Sequence, residues 1–209
     1  MKAGVLFSGG KDSTLAALLL SPFVDVELVT ANFGIIPNDA ADMARILGFG
    51  FKSLDIEAEI ATSIVESMVT DGFPNSGIKE IHKMALERAA GIYAVVADGT
   101  RRDDRVPMLS ASEARSLEDV LGVKYVRPLL GYGRSLIDEL VTEYFEVLYG
   151  ECVSFDYEVE LREILRTIYG EESVFDVFPK HHQQSKVVAL KMSTRRLNGL
   201  SNRTFHNVK

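Results

Sequence analysis

The chain has 209 residues, 46% of them hydrophobic and 25% charged, ordinary values for a soluble globular protein with one substantial core and room for a small appendage. Its single cysteine, Cys152, excludes an internal disulfide framework and any CxxC-type zinc or iron–sulfur site within one chain, and it fits a reducing cytosol. The net charge of −7 is uneven: seven basic and no acidic residues lie from Lys180 onward, and −7 less that +7 leaves −14 for residues 1–179. A basic tail on an acidic body suits a phosphate-rich ligand, nucleic acid, or docking of the tail on its own body.

Taken in chain order, Val5-Leu6-Phe7 reads as a short buried strand, too short for a signal peptide core and followed at once by Gly9-Gly10-Lys11-Asp12. Lys11 to Leu20 reads as a helix stopped near Pro22, and Val24 to Ala31 as a strand. Ser21, Pro22, Asp25 and Glu27 interrupt the apolar run from Leu15 to Phe33, which argues against a membrane span and for a cytoplasmic protein. A helix over Asn38 to Leu47, a strand over Phe51 to Leu54 and a helix over Glu57 to Thr70 follow, closed by Asp71-Gly72-Phe73-Pro74-Asn75. Ile78 to Ala90 is a helix, Tyr93 to Ala97 a fourth strand, Ser112 to Leu121 a helix behind the capping box Ser110-Ala111-Ser112-Glu113, and Lys124 to Val126 a fifth strand. This alternation predicts an α/β fold with a five-stranded parallel sheet, doubly wound. After Gly131 the pattern changes: Arg134 to Leu148 and Tyr157 to Tyr169 read as amphipathic helices, and Val187 to Leu190 as a strand or mid-helix. The expected division is therefore an α/β domain over 1–133 and a small, mostly helical extension with the basic tail over 134–209.

Ser8-Gly9-Gly10-Lys11-Asp12-Ser13 lies between the first strand and the first helix. Adjacent glycines let the backbone approach an anion closely, and the following helix N-terminus offers unpaired N–H groups with partial positive charge. Ser8, Ser13 and Lys11 add hydroxyl donors and a point charge, which makes an anion cradle sized for a phosphate chain. The spacing is neither GxxxxGK[ST] nor GxGxxG.

SGGKDS directly after an N-terminal strand resembles the PP-loop of the N-type ATP pyrophosphatases, a group in the adenine nucleotide alpha hydrolase-like superfamily that includes GMP, NAD and asparagine synthetases, tRNA-lysidine synthetase and tRNA thiolation enzymes. The resemblance covers roughly residues 1–133 and implies a HUP-type, Rossmann-like fold that cleaves ATP to AMP and pyrophosphate. An adenylated acceptor is then attacked by a nitrogen or sulfur nucleophile, which is ligase or transferase chemistry. A second stretch, Ala97-Asp98-Gly99-Thr100-Arg101-Arg102-Asp103-Asp104, is closest to the LarE-type sulfur transferases, and Pro128-Leu129 also resembles a family feature. The resemblance assigns ATP to Ser8, Gly9, Gly10, Lys11, Ser13, Gly99 and Thr100, with Lys11, Asp12 and Ser13 as the catalytic set. Magnesium would be held by Asp12 with Asp104 or Asp103, as a hard ion with oxygen ligands. The adenine would lie at the carboxyl end of the second strand, near Asn32 and Phe33.

The acceptor is not legible. Sacrificial sulfur transfer would require Cys152, yet a lone cysteine is more often a small core residue. Met1-Lys2 offers no N-terminal glutaminase nucleophile, so nitrogen would come from ammonia or a separate donor protein. Lys180-His181-His182, Ser193-Thr194-Arg195-Arg196, and Arg101, Arg102 and Arg105 are candidates for RNA or phosphate, with a solvated surface as the plain alternative. His82 has no partner visible in the sequence. Two further readings stay open: a nucleotide-binding sensor without turnover, and a tRNA-modifying protein that binds RNA through its tail. A homodimer is open as well.

Overall fold

The computed structural model describes residues 1–36, 39–104, 108–150, 157–179 and 183–191. Cys152, Arg105, His181, His182 and the Ser193–Arg196 cluster lie outside them. The first half alternates as read from the sequence: β1 (Lys2–Leu6), α1 (Lys11–Leu20), β2 (Asp25–Asn32), α2 (Ala40–Leu47), β3 (Gly50–Asp55), α3 (Ala58–Asp71), α4 (Asn75–Ala90), β4 (Val95–Ala97), α5 (Ala111–Leu121) and β5 (Lys124–Val126). The five strands form one sheet in the order β3-β2-β1-β4-β5, every pair parallel. It is a doubly wound α/β fold of Rossmann-like type.

The period-2 alternation of side chains divides the core between the two faces of the sheet. Leu6, Val29 and Val96 face one side with α3 and α4, while Val5, Leu28 and Ala97 face the other with α1 and α2. β1 is the central strand, and from Ala3 to Phe7 every side chain is buried. Gly4 is required there, since a Cβ would sit 2.4 Å from the Tyr93 ring packed over it. Tyr93 thereby serves as a packing residue, and β4 begins two residues later than the sequence suggested. Ser110 is the residue that caps α5, accepting from Glu113 N–H while the Glu113 carboxylate accepts from Ser110 N–H.

The C-terminal residues add α6 (Arg134–Tyr144), β6 (Phe145–Gly150), α7 (Tyr157–Tyr169), α8 (Glu171–Val177) and β7 (Gln184–Leu190). The helix expected to run to Leu148 stops at Tyr144, because residues 145–150 pair antiparallel with β7, from Phe145↔Leu190 to Gly150↔Gln184. Among the described residues the extension is thus three helices and a two-stranded sheet. It contributes to both cores: Leu161, Leu165 and Phe178 pack on the α3–α4 side, and Ile137, Phe145 and Val187 on the α1–α2 side.

Candidate functional site

In the order β3-β2-β1-β4-β5 the chain winds outward from β1 in one direction and then from β4 in the other. The crevice beyond the carboxyl ends of β1 and β4 is therefore the switch point where open α/β sheets bind ligands. Both sequence motifs meet there. A Cβ on Gly99 would lie 2.7 Å from Ser13 N, 2.8 Å from Asp12 C and 2.9 Å from Ser13 Cα, so the β4 loop rests on the backbone of the β1 loop.

The Ser8–Ser13 loop is closed by its own hydroxyls. Ser13 Oγ accepts from Ser8 N–H at 3.3 Å and lies 3.2 Å from Ser8 Oγ, and Gly10 N–H donates to Ser8 Oγ at 3.3 Å. Gly9 takes φ 73°, a left-handed conformation that favours glycine. α1 starts at Lys11 behind Gly10, which has no side chain to cap it, and Lys11 N–H donates instead to Ser185 Oγ at 3.2 Å. The Lys11 ammonium is buried and bridges Asp12 Oδ1 at 3.0 Å and Asp138 Oδ1, from α6, at 2.9 Å. Burial raises the Asp138 carboxyl, but the hydrogen bond and charge of Lys11, with help from Arg134, bring it below its ordinary value.

The three candidate metal ligands converge on a cation of the chain itself. Arg101 places Nη1 3.2 Å from Asp12 Oδ2, Nε 3.2 Å from Asp103 Oδ1 and Nη2 3.3 Å from Asp104 Oδ1. Its buried Nε nonetheless makes no aligned hydrogen bond. Asp104 is raised above its ordinary value, by burial first and then by the charges of Asp12 and Asp103, against the pull of Arg101. Among the described residues no group of three or more His, Cys, Asp or Glu side chains is placed to hold a metal by itself. Asp12 and Asp104 do fit an ion such as magnesium that takes one or two carboxylates and completes its shell with water and phosphate oxygens.

Beside the loop lies a cavity of about 210 Å³. Val29, Ala31, Ile78, Ala85 and Met108 give it apolar walls, and Ser8, Asp12, Ser13, Thr100 and Asp104 line it as well. Asn32 and Phe33 do not line it. Phe33 is buried in the core, and its N–H donates to Glu160 Oε2 at 2.9 Å. Asn32 Oδ1 accepts from Gly34 N–H. Glu160, on α7, also accepts from Ile35 N–H at 2.9 Å and Ile36 N–H at 3.4 Å, so it holds the whole turn after β2.

His82 was invisible as a site residue in the sequence, yet it lines this cavity. Its Nε2 lies 2.8 Å from Asp98 Oδ2 and its Nδ1 3.3 Å from the Tyr157 hydroxyl. Asp98 is almost fully buried and accepts further hydrogen bonds from Tyr125 OH and from Thr100 N–H at 2.9 Å. Burial pushes its carboxyl up, but the His82 bond and charge, then Tyr125 and Thr100, outweigh it and hold Asp98 below its ordinary value. Burial and the Asp98 charge push the Tyr125 phenol far up. The available signal was a histidine on the buried stripe Ile78, Ile81, Ala85, Ala89, combined with an aspartate at the carboxyl end of a strand.

The described part of the basic tail docks on the body. Lys186 pairs with Asp39 at 3.1 Å, and Lys191 Nζ donates to the Thr142 carbonyl. The Arg102 guanidinium lies against Gly133. No described helix is long and apolar enough to cross a membrane.

The chain is 42% identical over 197 residues to uncharacterized protein MJ0690 of Methanocaldococcus jannaschii, covering 91% of this chain and 97% of that protein. A solved structure from the same organism, described as a predicted subunit of tRNA methyltransferase, superposes with a TM-score of 0.83 at 42% identity, covering 91% of this chain and 98% of that one. The profile of a family of unknown function (DUF7411) matches residues 1–189, and this chain belongs to that family.

Proposed function

We propose that the protein binds ATP with its phosphates on the Ser8–Ser13 loop and its nucleoside in the adjoining cavity, and transfers adenylate to an acceptor with release of pyrophosphate. The observation that carries this reading is the meeting of two loops, each rich in phosphate-binding groups, at the switch point, with Gly99 in backbone contact with Ser13. Thr30 and Ala31, rather than Asn32 and Phe33, then border the adenine. The acceptor oxygen attacks the α-phosphorus and pyrophosphate leaves with the bonding electrons. Negative charge develops on the leaving group, so the loop amides, Ser8, Ser13 and Lys11 stabilise the transition state most where they face it. Asp12 and Asp104 would hold a magnesium ion arriving with the nucleotide, which would supply charge neutralisation on the phosphates. In the second half-reaction a nucleophile bearing a proton expels AMP. His82, oriented by Asp98 through Nε2, takes that proton on Nδ1 by way of the Tyr157 hydroxyl, which donates to Nδ1 and accepts from the nucleophile, with base and orienting carboxylate arranged as in nucleophile activation.

The name carried by the Methanocaldococcus jannaschii structure favours RNA as acceptor or as partner. The test is incubation with ATP, Mg²⁺ and candidate acceptors, unfractionated tRNA among them, followed by assay for AMP and pyrophosphate. Formation of ADP, or ATP binding with pyrophosphate from no acceptor, overturns the adenylation reading. A methyltransferase subunit would instead bind S-adenosylmethionine in the cavity, in competition with AMP, and release no pyrophosphate.

A further inference from the structure

β7 forms one side of the phosphate loop. Val187 N–H donates to the Gly9 carbonyl at 2.9 Å, and Lys11 N–H, the first donor of α1, donates to Ser185 Oγ at 3.2 Å across 174 residues of sequence. Gly10 packs on the same strand: a Cβ there would lie 3.5 Å from the Ser185 carbonyl oxygen and 3.7 Å from its Oγ. The strand is itself anchored, by pairing with β6, by the fully buried Val187 and by the Lys186–Asp39 ion pair.

A serine hydroxyl has one proton to donate and two lone pairs. One lone pair of Ser185 is engaged by Lys11, and its proton has no acceptor among the described residues. The residue lines a second cavity, of about 340 Å³, together with Gly10, Lys11, Ser13, Arg101 and Arg134. That cavity shares Ser8, Asp12, Ser13, Asp104 and Glu158 with the first, so the two adjoin along these residues. Lys11, Arg101 and Arg134 line this cavity and not the apolar-walled one, which suits it to the far end of a nucleotide's phosphate chain.

We infer that Ser185 Oγ donates a hydrogen bond to the terminal phosphates of ATP, so that the C-terminal strand is a wall of the phosphate site and Ser185 a ligand-contacting residue. This rests on the ATP reading above. It gives the docked tail a part in binding: the strand holds Gly9 and Lys11 in place and adds a third hydroxyl to those of Ser8 and Ser13.

The experiment is calorimetric titration of the full chain with inorganic pyrophosphate and, separately, with AMP. Ser185→Ala is expected to weaken pyrophosphate binding about tenfold to hundredfold, the size of one hydrogen bond to a charged group, and to leave AMP binding within about twofold. Ser185→Thr, which keeps the hydroxyl, should restore most of the affinity. Ser185→Cys, nearly isosteric but a weak donor, should fall between and serves if the alanine variant folds poorly. Unchanged pyrophosphate affinity in Ser185→Ala, or parallel loss of pyrophosphate and AMP, overturns the assignment of Ser185 while the ATP reading stands. A wild-type chain that binds neither ATP, AMP nor pyrophosphate overturns both.

Discussion

The His82 imidazole lies 2.8 Å from the Asp98 carboxylate, and this pair ties α4 to the end of β4 at the wall of the apolar-walled cavity. Because Asp98 is held below its ordinary value, it stays ionised at neutral pH, and Nε2 of His82 must be the donor. The sign of the pH effect follows. A carboxyl depressed on folding contributes stability that is fully present above its unfolded value, near 4, and is lost as pH falls through the lower folded value. Asp98→Asn should therefore cost about 3 kcal/mol at pH 7, the usual cost of breaking a buried pair, with the gap narrowing in acid. Urea unfolding at pH 7, 5 and 3 measures this, and a gap that stays constant would show that the charge of Asp98 is not what matters.

Gly99→Ala should be one of the most damaging small substitutions in the site. The added methyl meets backbone atoms of Asp12 and Ser13 at 2.7 to 2.9 Å, which cannot swing aside as a flexible side chain can. Overpacking of this kind costs about 1–3 kcal/mol and would push the two loops apart. Gly133→Ala is the control, since its methyl meets the far end of the Arg102 side chain. The expected outcome is a lowered melting temperature and lost ATP binding for Gly99→Ala, with little change in either for Gly133→Ala. ATP affinity within twofold of wild type in Gly99→Ala would remove the loop contact from the binding argument.

The loops in this comparison were legible because their chemistry is local: strand, paired glycines, lysine and hydroxyls follow one another in a dozen residues. The alternation of strands and helices was legible for the same reason. β6 was not. Ile137, Val141 and Phe145 continue the helical spacing of α6 and are all buried, so the hydrophobic period does not change where the helix ends. What ends it is pairing with β7, some forty residues later, a long-range partner that no local pattern encodes. Phe33 shows the converse error. An aromatic residue after β2 suits a ring cover for adenine, yet the core claims its side chain and Glu160 claims its N–H. The Asp98–His82 and Ser185–Lys11 contacts join residues with no sequence relation and needed the fold.

Glu160 tests how far α7 shapes the turn after β2. Its two oxygens accept from the N–H groups of Phe33, Ile35 and Ile36, and the carboxylate is buried. Glu160→Ala leaves those donors without a partner, at about 1–3 kcal/mol for each that water does not reach. Hydrogen exchange should rise sharply at residues 33–36 while protection in β1 and β4 is kept. Exchange that rises equally throughout the sheet would mean that Glu160 supports the global fold rather than this turn.

Lys11 is the most exacting test of the phosphate site, because its ammonium is already engaged. It is shared between Asp12 and Asp138, and Asp138 comes from the C-terminal part of the chain. Asp12 has a use in the ATP reading as a partner for the nucleotide's magnesium, whereas Asp138 only opposes the approach of phosphate. Replacing it by asparagine removes one negative charge a few ångströms from the cradle while keeping a hydrogen-bond acceptor for Lys11. At a partly exposed site such a charge is worth about 1 kcal/mol, so Asp138→Asn should tighten pyrophosphate binding roughly threefold to tenfold at low salt. The gain should shrink as ionic strength rises and screens the pair. Lys11→Met should lose binding in either background, which makes the effect of Asp138 conditional on the lysine. Weaker binding in Asp138→Asn would mean that the carboxylate positions Lys11 for the phosphate instead of competing with it.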